Sequence, residues 1–158
     1  MTTDVDALLK IARATLGKIR FCFAVTVSAS GGMNARIVEP SKPDEDWRLW
    51  FWTNRRTRKV REIEATGRLL LGYQHDPEGS CVTLHGKAKI NGDTARKRQV
   101  WTEDFDRWFP GGPEDADVVL VQFEADRIEI WSSAHDVMPG YGSARLDRQG
   151  QSWRYSAT

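Results

Sequence analysis

Residues 20–40 read RFCFAVTVSASGGMNARIVEP. From Arg20 to Ala29 the side chains alternate, with Phe21, Phe23, Val25 and Val27 on one side and Cys22, Ala24, Thr26 and Ser28 on the other. Period-two alternation among aromatic and β-branched residues marks a strand, here with one large and one small face. Ser30–Gly31–Gly32 supplies a tight turn. Met33–Glu39 returns as a second strand, and Pro40 stops it because proline has no N–H to give to a ladder. The first feature of the chain is therefore an antiparallel hairpin.

Outward from the hairpin the same rules place the other elements. Upstream, Thr3 and Asp6 form a capping-box-like pair before Ala7–Leu9, Ile11–Ala12 and Leu16, which predicts a short amphipathic helix closed by Gly17. Downstream, Arg48–Thr53 reads as an aromatic-rich strand, and Asn54 can cap a helix over Arg56–Thr66 with Val60 and Ile63 on one face. Arg68–His75 and Ser80–Asn91 are strands joined by the turn Asp76–Gly79. Thr94–Trp108 is expected to be a helix with Val100, Trp101 and Phe105 on one face, and Phe109–Pro113 a rigid loop. Asp117–Glu124 and Arg127–Trp131 are the last clear strands, and the residues after Ser133 are weakly patterned. Strands that come in hairpins, with helices between the groups, exclude a doubly wound α/β sheet. The expected fold class is mainly β: one antiparallel barrel domain over residues 1–158 with peripheral helices.

Composition limits the function classes. A net charge of +1, from 23 basic and 22 acidic residues among 158, offers no global field for nucleic acid or an acidic membrane. Cys22 and Cys81 lie in apolar or alternating runs and read as buried thiols; with three scattered histidines they give no metal spacing. The N-terminal ten residues lack a basic region followed by an apolar one, and no window approaches a membrane span. A cytoplasmic protein is expected, without nucleic-acid or membrane partners.

Local clustering is another matter. Trp52-Thr53-Asn54-Arg55-Arg56-Thr57-Arg58-Lys59-Val60-Arg61 joins a strand end to a helix start and carries five cations in seven residues. A helix N-terminus already favours anions, so basic residues in its first turn oppose its own dipole unless an anion sits there. An arginine fork with a lysine point charge suits a phosphate monoester, and Thr53 or Thr57 can add hydroxyl donors. The rival reading is a solvated basic face. Arg36, amid strand residues, reads either as a second phosphate contact or as an edge arginine paired with Glu39. Gly86, inside a strand, marks a bulge, a barrel corner or a close approach by ligand. His85 reads as a packed histidine, and His135–Asp136 is a base–orienter pair by sequence adjacency alone. At most one of Trp50 and Trp52 is expected to line the core.

Four segments together resemble the FMN-binding split-barrel family of pyridoxamine 5′-phosphate oxidase, and its bacterial general-stress-protein branch in particular. They are Asn34–Pro40; Leu49–Thr53 with Arg58–Lys59–Val60; Gly86–Lys87–Ala88; and Trp108–Pro113 followed by Val118–Val121. The resemblance runs from about Asp4 to Ser133. It implies a homodimer with FMN, or alternatively FAD, at the interface. Arg36 and the backbone of Ile37 and Val38 then match the strand contacting phosphate and ring, Trp52 and Thr53 the strand end beside the flavin, and Arg58 and Lys59 the phosphate clamp. Trp131 matches a tryptophan contributed by the other subunit, and Cys81 stands where the oxidase has a glutamine touching the flavin. A donor near N1/O2 would stabilise a reduced flavin anion, and Lys87 or a backbone N–H is the candidate for it.

After Trp131 the chain reads Ser132-Ser133-Ala134-His135-Asp136, where the oxidase carries the arginines that grip its vitamin substrate. That departure argues against pyridoxamine phosphate. The expected function is a flavin-dependent oxidoreductase acting on another small molecule, with no acid or base named. The alternatives are a non-catalytic, stress-related flavin binder and a split barrel that uses haem or a deazaflavin.

Overall fold

The computed structural model describes residues 2–138, 140 and 142–157. The hairpin forms as the alternation predicts: β1 (Cys22–Val27) pairs antiparallel with β2 (Met33–Val38), Phe23 opposite Ile37 and Thr26 opposite Asn34. The small face turns inward, burying Cys22, Ala24 and Thr26. The large face stays outside, with Phe21 46%, Phe23 55% and Ile37 55% exposed.

Around this hairpin the chain runs α1 (Val5–Gly17), β1, β2, β3 (Arg48–Asn54), α2 (Arg58–Thr66), β4 (Arg68–His75), β5 (Ser80–Asn91), α3 (Thr94–Val100), β6 (Val118–Ser132), β7 (Ala144–Gln149) and β8 (Ser152–Ala157). The strands form one sheet in the order β2-β1-β4-β5-β6-β7-β8, with β3 on β6 and every pairing antiparallel. This is the mainly β split barrel expected. β6 is the split: β5 follows one edge, while the other edge takes β3 along Val118–Glu124 and β7 along Arg127–Ile130. The main core holds Leu8, Leu16, Phe51, Leu71, Leu84 and Phe123 among others, with α1 packed on β5 and β8.

Several boundaries differ from the expectation. Asp4, not Thr3, caps α1, its carboxylate accepting from the Ala7 N–H at 2.7 Å. α2 starts at Arg58 rather than Arg56, because Asn54 turns its side chain onto the Arg56 N–H at 2.8 Å and delays the helix. α3 ends at Val100, where Trp101 adopts extended backbone and its ring meets Trp52 at 4.7 Å. Packing overrides the helical period there. Residues 118–132 form one strand instead of two, because β5 pairs with both halves. β7 and β8 lie in the weakly patterned tail. Only Ala144 and Leu146 of β7 point inward, and Arg145 and Asp147 pair on its outer side, so little amphipathic signal remains. Trp50 and Trp52, being two residues apart, share a face and both join a second cluster with Val118 and Leu120.

Gly86 sits at a bulge, where the β5–β6 register shifts between His85 and Gly86. A Cβ there would meet the Glu124 carbonyl oxygen at 2.0 Å. Gly86→Ala should therefore lower unfolding free energy by at least about 2 kcal/mol through backbone displacement, read as a reduced urea midpoint with an unchanged slope.

Candidate functional site

The five cations of the basic run separate once folded. Arg56 pairs with Asp117 at 2.8 Å, Arg61 donates back to the Arg56 carbonyl at 2.8 Å, and the Arg55 guanidinium lies against Gly92. Arg58 and Lys59 remain at the start of α2. Thr57, at the N-cap, makes no side-chain cap, since its hydroxyl donates to the Asn54 carbonyl at 2.9 Å. The first turn of α2 carries no acidic residue, so its N–H dipoles and two cations point the same way.

This helix start borders an open cleft of about 430 Å³. Ile37 and Val38 come from β2, Trp52 and Thr53 from the end of β3, and Thr57 and Lys59 from the α2 start. The Lys59 amine donates to Thr53 Oγ1 at 2.9 Å, and Thr53 and Thr57 place their hydroxyls 3.5 Å apart. Burial, and then the Arg36 charge, push the Lys59 ammonium below its ordinary range. The opposite wall is aromatic: Phe105, Trp108 and Phe109, with Phe21 at the rim. Trp52 is edge-on to Trp101 and Phe105, and its indole N–H is buried without a hydrogen-bond partner. The cleft thus combines a cationic end with hydroxyl donors and an apolar, aromatic body. It adjoins a larger groove of about 910 Å³ that shares Phe21, Glu39 and Trp108 with it.

Arg36 lies beneath this surface rather than in it. Its Nη1 donates to the Ala24 carbonyl, Thr26 Oγ1 and the Asn34 carbonyl at 3.2, 2.6 and 2.9 Å. Its ion-pair partner is Glu62 at 3.4 Å, not Glu39, which pairs with Arg20 at 2.7 Å. Ile37, Val38, Trp52, Thr53 and Lys59 are thus brought together, Arg36 lies behind them, and Arg58 stands next to Lys59 at the helix start but outside the cleft lining, with its guanidinium toward Glu62. Cys81 and Trp131 are cross-strand partners on β5 and β6, away from this cleft, and Lys87 faces a second groove with Trp50, Lys89 and Arg96.

Neither remaining histidine motif lines the cleft. His135 Nδ1 bonds Ser132 Oγ at 2.9 Å, and Ser132 in turn bonds Ser80 at 2.6 Å, but both serines are buried. His85 is half-buried near Thr83 and Glu129, as a packed histidine. Sequence reading missed Glu62 and the aromatic wall. The available signal for Glu62 was an acid four residues after Arg58, one turn along the same face of α2. The wall had no local signal, because it forms only where α3 stops early.

Comparison with known proteins agrees with this architecture. General stress protein 26 of Bacillus subtilis (strain 168) is 33% identical over 107 residues, spanning 61% of this chain and 76% of that protein. The crystal structure of a protein related to general stress protein 26 from Clostridium acetobutylicum superposes with a TM-score of 0.74 at 21% identity, covering 83% of this chain and 92% of that one. A pyridoxamine 5′-phosphate oxidase-related, FMN binding protein from Nostoc punctiforme PCC 73102 gives a TM-score of 0.64 at 15% identity, covering 100% and 98% of the two chains. The family described as pyridoxamine 5′-phosphate oxidase like matches residues 6–149, nine-tenths of the sequence. On that span and this fold, the chain belongs to the pyridoxamine 5′-phosphate oxidase-like family.

Proposed function

We propose that this protein binds FMN in the cleft at the start of α2, as one half of a homodimer, and serves as an oxidoreductase toward a small molecule other than pyridoxamine phosphate. One observation carries the reading: the α2 start, with no side-chain cap and no acid in its first turn, sets Lys59 beside the Thr53 and Thr57 hydroxyls at one end of an aromatic-walled cleft, a donor set that suits a phosphate monoester. The Nostoc relative, which binds FMN, supports the same cofactor.

The residues fit that group. Arg58, Lys59, Thr53 and Thr57 would hold the phosphate, and the β2 backbone at Ile37–Val38 would meet the ring edge. Phe105, Trp108 and Phe109 would exclude water from the ring. A bound flavin would supply hydride or electron transfer. The adjoining groove beyond Phe21 and Trp108 offers room for the substrate, with the Arg107 guanidinium 5.1 Å from the Trp108 ring. Dimerisation is supported by the exposed outer face of β1–β2, where Phe23, Ile37 and Met33 lie together, since exposed apolar patches of this kind mark interfaces. In such a dimer Cys81, Lys87 and Trp131 are available to the partner's cleft.

Purified protein should show the absorption bands of oxidised flavin, released as FMN on denaturation; a Soret band would replace this reading with haem. Arg58→Ala/Lys59→Ala should lose FMN and keep its circular dichroism and a cooperative melt close to that of flavin-free wild type, and stoichiometric FMN retained in that variant contradicts the site. A second measurement concerns Lys59 itself. Its folded value lies below the ordinary 10.5, so between the two the unfolded chain binds more protons and Lys59 alone makes stability rise with pH. A phosphate beside the amine favours the charged form. Inorganic phosphate should therefore raise the Lys59 midpoint, read by NMR of the labelled ε-carbon, and abolish that rise in stability; an unmoved midpoint contradicts anion binding here.

A further inference from the structure

One carboxylate stands inside the cationic cluster. Glu62, on α2, has only 8% of its side chain exposed. Four donors converge on it: the Thr26 hydroxyl, Asn34 Nδ2 at 2.6 Å, Arg36 Nη2 at 3.4 Å and Arg58 Nε at 3.7 Å. The Thr26 hydrogen bond, ahead of the Arg36 contacts and the Arg58 charge, holds its carboxyl below the usual range, so it is ionised at neutral pH.

The two arginines depend on it unequally. Arg36 is mostly buried, and Glu62 is its ion-pair partner; its other contacts are backbone carbonyls and the Thr26 hydroxyl. Removing the carboxylate leaves a covered guanidinium with no counter-charge, an expensive state. Arg58 is different. Its side chain is 59% exposed, its pairing with Glu62 is the loose 3.7 Å contact, and it sits between Thr57 and Lys59, which line the cleft. Arg58 can thus turn to either of two anions, Glu62 behind it or a phosphate in front.

We propose that Glu62 is the resident counter-ion of the empty clamp: it neutralises Arg36 and Arg58 when no phosphate is bound and cedes Arg58 to an incoming phosphate monoester. This rests on the cleft being the FMN phosphate site. With Arg36, Arg58 and Lys59 positive and Glu62 negative, the cluster carries a net +2, matched to a phosphate dianion rather than exceeding it. Glu62 therefore keeps the empty site folded at the expense of repelling the phosphate. A plain structural brace has no such selectivity: its loss weakens every flavin alike.

Riboflavin, which has the ring without the phosphate, separates the two cases. Flavin-free wild type and Glu62→Gln, full chain, are titrated with FMN, riboflavin and inorganic phosphate. The preference for FMN over riboflavin should rise at least about tenfold in the variant, with riboflavin affinity held within about twofold. The flavin-free variant should melt below wild type, and inorganic phosphate should narrow that gap. An unchanged or reduced FMN preference overturns the proposal, as does an equal loss of both flavins. If the Gln variant does not fold without ligand, Glu62→Asp, whose carboxylate falls short of Arg58, should move the preference the same way, and an unmoved preference again overturns it. Wild type showing no preference for FMN over riboflavin defeats instead the assignment of the cleft, so the two failures are distinguishable.

Discussion

Positive charge gathered at the positive end of a helix is the constraint around which this end of the barrel is arranged. Arg58 and Lys59 open α2 without an acidic residue in the first turn or a side-chain cap. Such a start is tolerated because its neighbours answer it. Thr53, at the end of β3, accepts from the Lys59 amine, and Thr26 and Asn34 on the hairpin donate to Glu62. The other end of α2 is tied down independently. Gly67, at φ 65°, closes the helix with its N–H on the Ile63 carbonyl, and its own carbonyl accepts from the Ala88 N–H on β5. A cationic end is thus mounted on a helix fixed at both ends by the sheet.

The hairpin serves that site with both faces. Its small inward face makes room for Thr26 and Arg36 beneath α2, and its large outward face leaves Phe21 and Ile37 beside the cleft. The early stop of α3 completes the enclosure. Had the helix continued to Trp108, its period would have carried Trp101 and Phe105 along one helical face. Instead Trp101 turns against Trp52, and the following segment brings Phe105 and Phe109 across the mouth of β3. Cationic end and aromatic wall come from segments some fifty residues apart, joined by the β3–β6 pairing.

What could be read from the sequence follows the range of the forces involved. β4 and β5 have the predicted bounds, because period-two alternation and a turn between them are local facts. The cationic helix start was readable for the same reason, as a local run crowded with basic residues. Glu62 was not, since its burial depends on Thr26, Asn34 and Arg36, which lie 26 to 36 residues away. Nor could the basic run alone distinguish Arg58 and Lys59 from Arg55, Arg56 and Arg61; Asp117 and the chain's own carbonyls make that selection. β7 and β8 escaped because Arg145 and Asp147 satisfy each other on the surface and mask two inward residues.

The central claim is that the start of α2 is a phosphate site and that the cleft beside it holds the attached ring. A crystal structure of the protein grown with FMN tests it most directly. The phosphate is expected within hydrogen-bond reach of Arg58 and Lys59, with the ring between the Ile37–Val38 backbone and the Phe105–Trp108–Phe109 wall. Phosphate density in the groove of Lys87, Lys89 and Arg96 instead, with the α2 start left to solvent, would contradict it.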